Sequence, residues 1–212
     1  MIRTTTLCVA CGLLLGALAA VADDVPDLDP TWIEFVAPNS NSRVLLVRPD
    51  GQGPGFTEAR GLDGAIVDSR IKITVMTGTG ERVYNYPRED IWLMDLDGDL
   101  ALCEGGTIPD DDTNEQGEAF WVNPPRVGGH SDSPVTAYVN GDAVITGTGL
   151  PLFFNSPDVD GNLEVGLSDL DDFVSDYFGP YQLRADLHYD NMISLTDLDV
   201  FVEAYFDGIA CP

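Results

Sequence analysis

The chain has 212 residues, with 36 acidic against 10 basic side chains, a formal net charge of −26 and 44% hydrophobic residues. That charge repels nucleic-acid phosphates and anionic membrane surfaces, so neither is an expected partner. It also opposes compaction unless cations neutralise part of it, although acids spread over a surface can serve solubility alone.

The chain opens with Arg3 and an apolar run from Leu7 to Ala20, followed by Val21 and Ala22. The run is too short for a membrane span, and Ala20-Val21-Ala22 fits a cleavage site before Asp23. Residues 1–22 therefore read as a signal peptide, and the mature protein as secreted, extracellular or at the cell surface, with no membrane insertion after cleavage. Cys8 and Cys11 would leave with the signal, so Cys103 and Cys211 are the mature thiols. In an exported chain they can form one disulfide that ties the C-terminal tail to the preceding domain, but the sequence leaves open whether they meet. Neither lies in a CxxC, and His130 and His188 are the only histidines, which argues against zinc.

After an acidic leader, short runs of β type follow one another: TWIEFV, RVLLVR, RIKITVM, IWLMDL, LALC, EAFWV, VTAYV, AVIT and PLFF. In RIKITVM, Ile71, Ile73 and Val75 alternate with Lys72 and Thr74 as in a half-buried strand. Turn signals separate the runs: Asp50-Gly51, residues 77–80, Asp97-Gly98, Asn123-Pro124-Pro125 and Asn140-Gly141. Asn140-Gly141 between VTAYV and AVIT predicts a hairpin whose two central residues have positive φ. No helical period appears before Ser168, and eight or nine strands at this spacing predict an antiparallel β-sandwich over residues 23–155. The stretch from Ala65 to Asn155, through IVDSRIKITVMTGTGERVYNYPREDIWL, DDTNEQGEAFWV and VTAYVNGDAVITG, resembles a bacterial Ig-like domain of the invasin/intimin type. TWIEFV and RVLLVR lie outside that likeness and extend the sheet.

Several constellations carry less. GQGPG lacks the Lys and Ser/Thr of a phosphate loop and opens no helix. DLDGDL is half a calcium loop with nothing ligand-like behind it, and PDDDTNEQG reads as a solvated acidic loop. His130, Ser131 and Asp132 are neighbours in one loop and cannot face each other as a relay. A carboxylate pair for glycoside hydrolysis cannot be nominated, because its spacing belongs to the fold.

The last quarter is a duplication. Shifted by 28 residues, Asp158 falls on Asp186, Asn162 on Asp190, Val165 on Ile193, Ser168 on Thr196 and Asp169 on Asp197. Leu170, Phe173, Val174, Tyr177 and Phe178 fall on Leu198, Phe201, Val202, Tyr205 and Phe206, one face of a helix in each copy. Each copy is an acidic loop followed by a helix. A calcium loop takes oxygen ligands at positions 1, 3 and 5, a carbonyl at 7 and a carboxylate at 12. Loop 1 offers Asp158, Asp160, Asn162, the carbonyl of Glu164 and Asp169. Loop 2 offers Asp186, His188, Asp190, the carbonyl of Met192, Ser194 and Asp197, with His188 a poor ligand for a hard cation. One or two Ca2+ ions are the expected cofactors.

With Asp at position 12 followed at once by a helix, as in Ser168-Asp169-Leu170 and Thr196-Asp197-Leu198, residues 156–208 are similar to the type I dockerin duplication, within an expected module of residues 156–212. That resemblance implies two loop–helix motifs packed antiparallel. Position 6, usually Gly because it needs positive φ, is Leu163 in loop 1 and Asn191 in loop 2; Leu there costs roughly 1 to 2 kcal/mol. Gly161 stands two places early, so loop 1 is expected to turn differently from loop 2. Gly179 and Gly208 are placed to stop the helices.

The resemblance also implies a cohesin-like partner, although the usual contact positions hold Leu167-Ser168, Leu195-Thr196, Val174-Ser175 and Val202-Glu203, with no Lys or Arg. The expected protein is thus mainly β, an antiparallel Ig-like β-sandwich followed by a small α-helical dockerin-like calcium module. The expected role is a non-enzymatic, calcium-ordered structural or interaction protein that binds a cohesin-like or other extracellular domain or assembles with itself. The alternatives are a fibre or surface-layer subunit without a heterologous partner and, behind it, a carbohydrate-active enzyme.

Overall fold

A computed structural model describes residues 26–38, 41–97, 100–144 and 149–212. The expected signal segment, the start of the acidic leader (residues 23–25), Gly98 and Asp99 of DLDGDL and the IT end of AVIT lie outside the described residues.

Eight of the nine β-type runs hold half or more of a strand, AVIT shares only Ala143 with one among the described residues, and three more strands join them. Strand β1 (Pro26–Phe35) pairs with β5 (Ile71–Thr77), which pairs on its other side with β8 (Glu118–Trp121). In β5 the alternation holds in part: Ile71, Ile73 and Val75 are completely buried and Lys72 reaches Glu34 and Glu118 on the opposite face, but Thr74 on that face is completely buried as well. A second sheet joins β6 (Ile91–Asp95), β10 (Val135–Val139) and β11 (Asp142–Ala143). Its hairpin has Asn140 at φ 52° and Gly141 at φ 96°, both left-handed as a two-residue turn requires.

The third sheet runs β12 (Leu152–Asn155), β2 (Arg43–Leu46), β3 (Ala59–Gly61) and β4 (Ile66–Val67). Here the expected antiparallel arrangement has one exception, because β12 lies parallel to β2. Parallel neighbours need a long crossover, and the chain between β2 and β12 includes most of the other strands. A short ladder of β7 (Leu100–Leu102) and β9 (Val127–Gly129) completes the strands. One apolar core, including Leu45, Phe56, Ile91, Trp121 and Phe154, is shared by these sheets.

Helices α1 (Leu167–Phe178) and α2 (Leu195–Asp207) follow, so the protein is mainly β with antiparallel pairing in all but one ladder and two helices among the described residues. They share a second core in which Phe173 stacks on Phe201 with ring centroids 5.5 Å apart. The Val165 N–H bonds to the carbonyl of Ile209, placing the start of α1 beside the end of α2. With Phe173 against Phe201 in mid-helix, the two helices run in opposite directions. Gly208 ends α2 in the left-handed region, whereas Gly179 ends α1 in extended backbone. Cys103 and Cys211 form a disulfide with Cα atoms 5.8 Å apart.

Candidate metal centre

Each repeat brings three carboxylates to one point. Oxygens of Asp158, Asp160 and Asp169 lie within 4.8 Å of one another, and so do oxygens of Asp186, Asp190 and Asp197. In each trio the first and last residues are buried and the middle one is exposed.

Local hydrogen bonds build this geometry in the same way twice. The first Asp of each loop draws the backbone around itself: Asp158 accepts from the N–H groups of Asn162 and Leu163, and Asp186 from those of Tyr189, Asp190 and Asn191. The twelfth residue ties the loop to its helix. Asp169 accepts from Asp160 N–H and Gly166 N–H, and Asp197 accepts from His188 N–H and Ser194 N–H. Asp169 and Asp197 also lie in the first turn of their helices, where a carboxylate meets the positive end of the dipole.

The expectation that loop 1 turns differently is overturned. Gly161 and Tyr189 have φ 69° and 61°, and Leu163 and Asn191 have φ 71° and 65°. Both loops therefore enter the left-handed region twice, at matched places. Leu163 is held there although it lacks the tolerance of Gly or Asn, because Asp158 fixes its N–H and Cys211 N–H bonds to its carbonyl.

The other nominated donors fall around the trios. Asn162 Oδ1 accepts from Glu164 N–H, and its amide nitrogen reaches Asp160 and Ser168. Glu164 forms a bridge with Ala210, and Met192 N–H bonds to Asp190 Oδ1. His188 is not one of the converging groups; its Nδ1 lies 3.8 Å from Asp190. Ser194 caps α2, its hydroxyl taken up by Thr196 and Asp197. Elsewhere, Asp110 of the acidic loop binds the N–H groups of Val122 and Asn123, and Ser131 accepts from Phe154 N–H.

Two contributors have no counterpart in the repeat alignment. The Tyr181 hydroxyl donates to Asp186 Oδ2 at 2.8 Å, and burial raises its phenol so that it keeps that proton. Gly128 lies so close to Asp158 that a Cβ there would fall 1.8 Å from Oδ2. A Gly-Gly pair in a strand run is the signal that could have pointed to it, since such a pair marks close backbone approach.

The electrostatics favour a cation. Among the described residues no Lys or Arg pairs with any of the six carboxylates. Burial first, and then the charge of Asp169, pushes the Asp158 carboxyl up to about 7. Burial likewise raises Asp169 and Asp186. An all-oxygen, carboxylate-rich donor set of this kind suits a hard divalent ion such as calcium, and zinc or another soft metal poorly.

In the ion-free protein Asp158 keeps a proton that the unfolded chain releases near pH 4. The native state then binds more protons than the unfolded state between about 4 and 7, so stability falls as pH rises through that window. A bound cation demands the ionised form in the native state too, so neither state holds the proton above about pH 5 and the slope disappears. Denaturant unfolding at pH 5 and pH 8, in chelator and in calcium, checks this; an equal fall in stability in both conditions would contradict it.

No family model matches this chain, and no curated protein matches it. Among solved structures, the crystal structure of the Lin-41 filamin domain covers 63% of this chain and 97% of its own length, at 10% identity and a TM-score of 0.29. So loose a superposition constrains neither fold family nor function.

Proposed function

We propose that this is an exported, non-enzymatic protein in which an Ig-like β-sandwich carries a dockerin-like module ordered by two calcium ions. The observation that carries this reading is the pair of matched carboxylate trios, neither paired with a Lys or Arg among the described residues and each set in a loop of the same backbone form. Three converging carboxylates, two of them buried, repel one another in the absence of a counter-ion, and an ion at each trio relieves that repulsion while fixing the helix that follows.

The module is also the proposed docking element, for a cohesin-like or other extracellular domain. At matched positions of the two copies it exposes large apolar residues: Leu167 with Leu195, and Phe178 with Phe206, the last two 83% and 80% exposed. Matched exposed apolar residues favour a partner surface over a role confined to internal structure.

Calorimetric titration with calcium tests the first part. The wild type is expected to bind two ions, and Asp158→Asn or Asp186→Asn one each; no heat of binding in the wild type would end the proposal. Capture of a β-sandwich partner in calcium but not in chelator would then separate docking from a purely structural subunit.

A further inference from the structure

The two loops differ in what encloses them. Loop 1 lies on the β7–β9 ladder: Gly129 N–H bonds to the Asp158 carbonyl at 2.7 Å, and Gly128 faces the Asp158 carboxylate without room for a side chain. Against its other side runs the C-terminal tail. Val165 N–H bonds to Ile209 O at 2.9 Å, Cys211 N–H bonds to Leu163 O at 3.1 Å, and Ala210 bridges Glu164. The residues so held, 163–165, include the left-handed Leu163 and the carbonyl donor Glu164. Cys103 directly follows β7, so its bond to Cys211 staples the ladder to the tail with loop 1 between them.

Loop 2 has no such clamp. It rests on the β3–β4 turn, through Asn191 Nδ2 to Leu62 O and the close approach of Tyr189 O to Gly64, and on the Tyr181 hydroxyl. None of these contacts involves the disulfide or the tail.

We infer that the Cys103–Cys211 disulfide and cation binding at loop 1 are thermodynamically coupled, which makes loop 1 a redox-sensitive calcium site and leaves loop 2 insensitive. The inference rests on the calcium reading above. Reduction by a dithiol delivers two electrons and two protons to the S–S bond, giving two thiols while the reductant closes to its own disulfide. The tail is then held by its few backbone bonds and by Ile209 alone. Leu163 loses support for its unfavourable φ, and the seventh-position carbonyl is no longer fixed before the ion arrives. Binding at loop 1 must then order this segment as well, and affinity falls. Because the coupling is reciprocal, an ion at loop 1 protects the disulfide by the same factor.

Single-loop proteins provide the test, made at exposed ligands so that the fold is spared: Asp190→Ala leaves loop 1, and Asp160→Ala leaves loop 2. Calcium is titrated calorimetrically into each, oxidised and after dithiol reduction. The loop-1 protein should weaken by about 5- to 150-fold on reduction, the usual span of such couplings, and the loop-2 protein by less than about twofold. In the wild type, the midpoint for dithiol reduction should become more negative in calcium than in chelator, by about 30 mV per tenfold of coupling. Equal affinity of the loop-1 protein in both redox states, an unmoved midpoint, or equal losses at both loops would overturn the coupling. Absence of calcium binding in the oxidised wild type would instead overturn the proposed function, and the coupling with it.

Discussion

Calcium added to the chelated protein should raise its unfolding temperature by about 10 to 20 °C. A ligand at 100 times its dissociation constant stabilises the folded state by about 2.7 kcal/mol per site, and a chain of this length shifts by about 2 to 4 °C for each kcal/mol. The helical pair is where the response should concentrate. Its core is small, built on Phe173, Phe201, Ala204 and Ile209 with half-buried neighbours, and such a core is marginal alone. Each trio lies at the entrance to one helix, so on the proposed reading losing its ion would release both a loop and the first turn behind it. Asp158→Asn and Asp186→Asn should each remove about half of the response. Differential scanning calorimetry in calcium and in chelator decides the matter; a shift below about 2 °C at millimolar calcium would show that the trios hold no stabilising ion.

Phe201→Ala should cost about 3 to 5 kcal/mol, the usual range for a phenylalanine removed from a packed interior. Phe201 is 1% exposed and stacked on Phe173, where the two antiparallel helices meet. The truncation leaves a cavity that neither helix can close without dragging the acidic loop attached to it. Phe206 provides the control: five residues later on the same helix and largely exposed, its change to Ala should move stability by less than about 0.5 kcal/mol. Denaturant unfolding in calcium gives both values. A cost below about 1 kcal/mol for Phe201→Ala would mean that the helix pair adds little to the cooperative fold.

The duplication was legible because its ligands and apolar positions recur at a constant offset, and the structure gathers the first, last and one middle carboxylate of each copy. The strands of RIKITVM and VTAYV were legible from period and turn chemistry. Strands β3, β4 and β9 were not, since ARG, IV and VGG are too short or too poor in β-branched residues to stand out. The parallel partnership of β2 and β12 was hidden for another reason: each run alternates in the same way whichever direction its neighbour takes. Leu163 misled because local preference alone suggests a different turn, whereas two hydrogen bonds from elsewhere hold it in the left-handed form. Tyr181 was invisible to the repeat alignment, which matches it with Phe153 of β12, a residue with no hydroxyl to offer.

The Cys103–Cys211 bond has a topological meaning beyond its neighbourhood. It closes a covalent ring whose ends are 108 residues apart in sequence, and the ring contains β8 to β12, both loops and both helices. A protease that cuts once anywhere inside that ring opens it without separating any part of the chain. Every carboxylate of both trios stays attached to every strand after such a cut, until a reductant arrives.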